Sequence, residues 1–183
     1  CFKILSNMGI KLHVAWRDKP TRRGFSMIDS QGERAITVIG ERLAPNYRDN
    51  LDWSILKKMD GIFITASDSE IFKMARSASI LCTTPRVGIN IINKSNVNLD
   101  GLIGSNLDPG EEFSFSELSV KPKYTIKTEG EKGGIIFPGG RYEALKNKER
   151  KVDSYGCGDS FAAGILYGMA SNWDIDKSLN LAK

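Results

Sequence analysis

Asp153-Ser154-Tyr155-Gly156-Cys157-Gly158-Asp159-Ser160-Phe161-Ala162-Ala163-Gly164 is the stretch of this sequence richest in chemistry. It is a glycine-rich turn opening directly into a helix. Gly156 and Gly158 permit φ values closed to other residues and remove side chains from the approach. The first amides of a helix have no partner within it and point outward; with the macrodipole they form a site for a phosphate. Asp159 stands in the first turn, beside that site. A carboxylate there can accept the proton of a hydroxyl as it attacks phosphorus. Ala162, Ala163 and Gly164 keep the next turn slim. On these residues alone a second reading stays open, in which Asp159 or Ser160 caps the helix and the glycines make a plain turn.

Two further segments carry polar groups at turns. Thr128-Glu129-Gly130-Glu131-Lys132-Gly133 is by itself a β-turn with a hydroxyl and two glycines. Asp108-Pro109-Gly110-Glu111 is by itself a helix start, with Asp as cap and Pro at the first position.

The surrounding elements must hold these turns in place. The first forty residues read as short strands. Lys11 to Trp16 alternates, Gly24 to Asp29 carries Phe25, Met27 and Ile28, and Arg34 to Ile39 alternates again after the turn Asp29-Ser30-Gln31-Gly32. From about residue 50 the rhythm changes. Helices are expected over Leu51 to Met59 and from Ser67 or Asp68 through Ser77, with Ile71, Phe72 and Ala75 inward. Strands are expected at Gly61 to Thr65, Ile80 to Thr84 and Gly101 to Ser105, then a short helix from Pro109 to about Leu118. Tyr124 to Ile126, Gly134 to Phe137 and Arg141 to Leu145 read as strands. A long helix begins near Gly158 with Phe161, Ile165 and Met169 as its apolar stripe, and Asp174 caps a closing helix. Strands alternating with helices imply a parallel sheet covered by helices, with ligands at the carboxyl ends of its strands.

The twelve-residue run 153–164 resembles the carboxyl-terminal signature of the PfkB, or ribokinase-like, family of carbohydrate kinases. That pattern is Asp, a small hydroxyl residue, any residue, Gly, a small residue, Gly, Asp, any residue, an aromatic, two more, Gly; Cys157 replaces the usual Ala. The resemblance implies an α/β fold, a ribokinase-like three-layer sandwich with a small antiparallel β lid. It implies that Asp159 is the catalytic base and that the amides around Gly156, Cys157 and Gly158 form the anion hole. Asp153 matches an invariant position of the motif. Thr128, Gly130 and Gly133 match the strand-turn segment that contacts the nucleotide phosphates, so ATP is the implied cofactor. Glu111 matches the Glu that helps hold Mg²⁺ through water. Asp108 stands where the family has Asn, and Asn106 lies two residues earlier. Gly32 to Val38 resembles the lid, which in the family closes over the sugar and often forms a dimer contact; Arg34 and Arg42 could reach a phosphate or substrate.

Composition narrows the rest. The chain has 183 residues, 40% hydrophobic and 26% charged, close to a globular average. No apolar run is long enough for a membrane-spanning helix, which needs roughly eighteen residues. Cys1-Phe2-Lys3-Ile4-Leu5 lacks the layout of a signal peptide, and without an initiator Met the chain is expected to begin mid-protein. The net charge of +4 is scattered, with no basic stripe interleaved with aromatics, so neither nucleic acid nor a membrane is an expected partner. Three cysteines without a CxxC argue against a zinc site or disulfide framework and for a cytoplasmic location. The single histidine, His13, is expected to face outward from a strand, which disfavours a serine-hydrolase triad. The expectation is therefore an internal fragment of an ATP-dependent kinase for a sugar or nucleoside-like hydroxyl, with residues 1–45 as lid and connections and 46–183 as the α/β core. The rival is a nucleotide-binding module or catalytically silent kinase fragment.

Overall fold

The computed structural model describes residues 2–30, 34–146 and 155–183. Asp153 and the side chain of Arg34 lie outside the described residues, as do Gly32 and Glu33.

Helix α1 (Phe2–Asn7) opens the chain, and strands β1 (Arg23–Ile28) and β2 (Arg34–Ile39) form a separate antiparallel ribbon. Then follow β3 (Gly61–Ile64), α2 (Ser69–Ala75), β4 (Ile80–Thr83), α3 (Ile89–Ser95) and β5 (Gly101–Ser105). The remainder is β6 (Tyr124–Thr128), β7 (Gly134–Phe137), β8 (Gly140–Tyr142), α4 (Cys157–Ala170) and α5 (Ile175–Ala182). Six strands make one sheet in the order β3-β4-β5-β6-β7-β8. The first four run parallel; β7 returns antiparallel to β6, and β8, antiparallel to β7, runs again in the direction of the first four.

Side chains alternate across the sheet, and the alternation builds two cores. Leu81 and Leu102 point to one face and pack with Ile71, Phe72, Ala75 and Ile92 from α2 and α3. Cys82 and Ile103, one residue on in each strand, point to the other face and pack with Phe161, Ile165, Met169 and Leu179 from α4 and α5. The result is the expected three layers, with the expected small antiparallel unit beside them. Asp68 caps α2 by accepting from the amides of Glu70 and Ile71, as its position before the apolar stripe implied.

Several local expectations are corrected. Residues 11–16 form no strand: Leu12 and Ala15 are the half-buried positions there, a spacing of three, and no neighbouring strand pairs with them. The antiparallel unit therefore has two strands instead of three. Leu51 to Met59 contains a 3₁₀ helix, Trp53–Lys58, capped by Asp52. The helix expected from Pro109 is instead two 3₁₀ turns, Pro109–Glu111 and Phe115–Glu117. Local side-chain bonds stop it from propagating: Asp108 accepts from Gly110, and Ser114 and Glu117 close a capping box. The last strand is Gly140–Tyr142, shorter than the expected run to Leu145.

Candidate active site

The glycine-rich turn does open into a helix. Gly156 occupies the cap position of α4 at φ +80°, in the left-handed region that disfavours side chains. The first ladder bond runs from the Ser160 amide to the Gly156 carbonyl at 2.8 Å. The amides of Cys157, Gly158 and Asp159 thus precede the ladder, and no side chain caps them among the described residues. Cys157, Gly158 and Asp159 are exposed.

The direction of α4 follows from its contacts. At its end, a Cβ on Gly61, the first residue of β3, would lie 3.1 Å from the Ala170 Cβ. At its beginning, Phe161 stacks on Tyr142 with centroids 5.9 Å apart. Tyr142 pairs with Gly134, and Gly134 pairs with Thr128 at the carboxyl end of β6. The helix therefore starts at the carboxyl edge of the parallel strands and runs back toward their amino ends. That places its opening amides and Asp159 on the edge where α/β sheets bind ligands.

The second segment lies on the same edge. A tight turn joins β6 to β7, with Gly130 at φ +59° and Gly133 at φ +81°. Gly133 has no room for a side chain, because a Cβ would run into the Tyr142 carbonyl oxygen and reach within 2.8 Å of the Ala144 nitrogen. The Thr128 hydroxyl lies 3.5 Å from the Gly104 carbonyl. Glu129 steadies the turn, accepting from Arg141 at 2.6 Å and from Asn106 at 3.0 Å. The Arg141 hydrogen bond holds the Glu129 carboxyl below the usual range.

The third segment joins them. The Asn106 amide donates to the Thr128 carbonyl at 2.8 Å, which fastens the loop after β5 to the end of β6. In that loop Asp108 and Glu111 face Arg86, from the 3₁₀ turn Pro85–Val87 that follows β4. Arg86 Nε donates to Glu111 Oε1 at 2.9 Å, and its Nη2 pairs with Asp108 Oδ2. The remaining oxygens are also engaged: the Ser105 amide donates to Glu111 Oε2 at 2.6 Å and the Gly110 amide to Asp108 Oδ1 at 2.8 Å. Mg²⁺ prefers oxygens free to complete an octahedron. All four carboxylate oxygens carry donors, and among the described residues no group of three His, Cys, Asp or Glu side chains converges as a metal site. With Arg86 in place, the pair does not fit a directly ligated divalent cation.

The amino-terminal part reaches the same edge. Arg42 donates to the Thr65 carbonyl just beyond β3 at 2.9 Å, and the Tyr47 amide donates to Asp68 at 2.8 Å. Behind this connection, a cleft of about 280 Å³ is lined by His13, Trp16, Arg17, Leu43 and Asp49, among others. Arg17 closes on Asp49 at 2.6 Å. His13 is exposed and lies outside any strand.

Thr128, Gly130 and Gly133 are thus brought beside the loop of Asp108 and Glu111, and Gly156, Cys157, Gly158 and Asp159 open α4 on the same side of the sheet. Sequence reasoning missed Arg86 and the Tyr142–Phe161 stack. The available signal for Arg86 was topological: neighbouring parallel strands place the loops after Ile80–Thr83 and Gly101–Ser105 side by side.

Residues 115–183 match the family described as pfkB family carbohydrate kinase. No curated protein matches the chain. Among solved structures, ribokinase from Thermotoga maritima aligns at TM-score 0.61 and 20% identity, covering 87% of this chain and 60% of that one. Adenosine kinase from Sinorhizobium meliloti aligns at TM-score 0.66 and 18% identity, covering 89% and 58%. Arabidopsis thaliana ribokinase, solved with ribose and ATP, aligns at TM-score 0.66 and 18% identity, covering 90% and 61%. The fold is ribokinase-like, and the chain spans about 60% of the length of the first of these structures. No helix among the described residues is long and apolar enough to cross a membrane.

Proposed function

We propose, from a carboxyl-terminal segment of the pfkB family set on a ribokinase-like fold, that this chain is the larger part of an ATP-dependent kinase. Its acceptor is a hydroxyl of a sugar or nucleoside-like molecule. The observation that carries this reading is the convergence, on the carboxyl edge of the parallel strands, of the opening turn of α4 and the 129–133 turn. In this reading Asp159 accepts the proton of the attacking hydroxyl. The amides of Cys157, Gly158 and Asp159 bind the transferred phosphoryl group, and Gly156 and Gly158 keep the approach clear. Thr128, Gly130 and Gly133 lie along the nucleotide phosphates, and Asp153 is assigned to nucleotide binding by its place in the motif alone. Mg²⁺ enters as the counter-ion that ATP phosphates carry, without ligation by Asp108 and Glu111.

Residues 1–45 serve as lid and connections and 46–183 as the core. The exposed apolar ribbon of β1 and β2 is where two copies of the chain meet. Cys82 and Cys157 are free thiols, which suits a cytoplasmic protein. The test is to measure ATP binding by calorimetry and acceptor-dependent ADP release separately, across a panel of sugars and nucleosides. Binding with release for one acceptor class supports the kinase. Binding without release for any acceptor leaves a nucleotide-binding module, and absence of ATP binding removes both readings.

A further inference from the structure

The mismatch between the carboxylate pair and a divalent cation has an identifiable source. Glu111 is 9% exposed and Arg86 holds it from one side while the Ser105 amide holds it from the other. The contact is built into the sheet: a Cβ on Gly104 would lie 2.8 Å from Pro85 Cδ and 2.9 Å from Glu111 Oε2, so the residue before Arg86 and the carboxylate both press over that glycine. Asp108 completes the clamp on the same guanidinium. Burial pulls the Arg86 pKa down, but the bonds and charges of Glu111 and Asp108 outweigh it, and the net shift is upward. A guanidinium is charged at every working pH.

We propose that Arg86 is the resident cation of the Asp108–Glu111 pair: its clamp across the loops after β4 and β5 fills the carboxylates and keeps divalent ions out of them. Two carboxylates and one guanidinium leave a single net negative charge. Removing the guanidinium doubles that charge and frees one oxygen on each carboxylate, which is what a hard divalent ion selects. Arg86 is a positioning residue in this scheme. The inference does not depend on the kinase reading, because the probe is the metal alone.

The experiment is a Mn²⁺ titration of the chain, without nucleotide, followed by electron paramagnetic resonance of the free ion. Parent, Glu111→Gln and Asp108→Asn are expected to give indistinguishable curves. Arg86→Gln is expected to gain one saturable site at least about tenfold tighter than any in the parent, and Arg86→Gln with Glu111→Gln is expected to lose it. Arg86→Lys, which keeps the charge, is expected to behave as the parent; simple loosening of the loop would not separate Lys from Gln. Saturable Mn²⁺ binding by the parent that disappears in Glu111→Gln would overturn the proposal. So would a folded Arg86→Gln, checked by near-ultraviolet circular dichroism, that gains no site. If Arg86→Gln does not fold, the parent against Glu111→Gln and Asp108→Asn still decides.

Discussion

Asp159 allows two roles to be separated by one substitution. Asp159→Asn keeps the size and an oxygen at the third position of α4, so the fold and ATP affinity should change little. It removes the proposed proton acceptor, and general-base catalysis contributes roughly 10²- to 10⁴-fold. Turnover is therefore expected to fall by at least about a hundredfold, with KM for ATP within a few-fold of the parent. A residue that only caps the helix predicts the opposite pattern, a lower melting temperature with normal turnover per folded molecule. Measuring both on one preparation discriminates them. The cysteines give a second contrast. Burial, with a smaller push from the Asp100 charge, raises the Cys82 thiol to about 12, whereas Cys157 sits exposed at the start of α4. A thiol reacts as its thiolate. Iodoacetamide at pH 8 should label Cys157 and spare Cys82 until the protein is unfolded, as read by peptide mass mapping. Native labelling of Cys82 would contradict its placement between β4 and the α4 layer.

Among the elements, the 129–133 turn is the least tolerant of change. Gly133 combines positive φ with a neighbouring backbone where a Cβ would go. Backbone strain and overpacking each cost about 1–3 kcal/mol, so Gly133→Ala should destabilise by roughly 2 kcal/mol or more. Denaturant midpoints would show it, and a loss under about 0.5 kcal/mol, typical of an ordinary surface site, would mean that the turn is looser than its geometry. Here the legibility of the sequence divides cleanly. The strand Gly101–Ser105 was readable as a short apolar run, the mark of a strand buried on both faces, and the helix Cys157–Ala170 because a period-four apolar stripe directly reflects burial on one helix face. Residues 11–16 misled because alternation without a pairing neighbour is not a strand. Pro109 to Leu118 misled because apolar spacing does not report the side-chain caps at Asp108 and Ser114. In the candidate site, the glycine turn and Asp159 were legible as a contiguous run that opens a helix. The Arg86 clamp was not, since its two halves are 22 and 25 residues apart in sequence.

At the scale of the molecule, the ribbon of β1 and β2 is unusual in being apolar on both sides. Phe25 and Met27 lie on one face and Ile36 and Val38 on the other, all close to half exposed or more. A two-stranded ribbon is marginal in water by itself. If copies meet through this ribbon, Phe25→Glu with Met27→Glu should shift the sedimentation coefficient toward the monomer at micromolar concentration. Parent chain that sediments as a monomer at the same concentration would remove the ribbon as a dimer contact.

Helices α4 and α5 meet almost backbone to backbone, since a Cβ on Gly164 would lie 2.8 Å from the Ala182 Cα and one on Gly168 would lie 2.9 Å from the Ser178 Cα. Among the described residues, together they form the helical cover over Cys82, Ile103, Ile126 and Ile136. During translation, that sheet face is made before its cover. At roughly 5–20 residues per second, the stretch from Tyr155 to Lys183 takes on the order of one and a half to six seconds to synthesise. Through that interval, and until α5 clears the ribosome, an apolar surface spanning the middle of the sheet faces water. The nascent chain thus exposes that surface over a defined window, and a stop codon just before residue 155 turns that brief exposure into a permanent one.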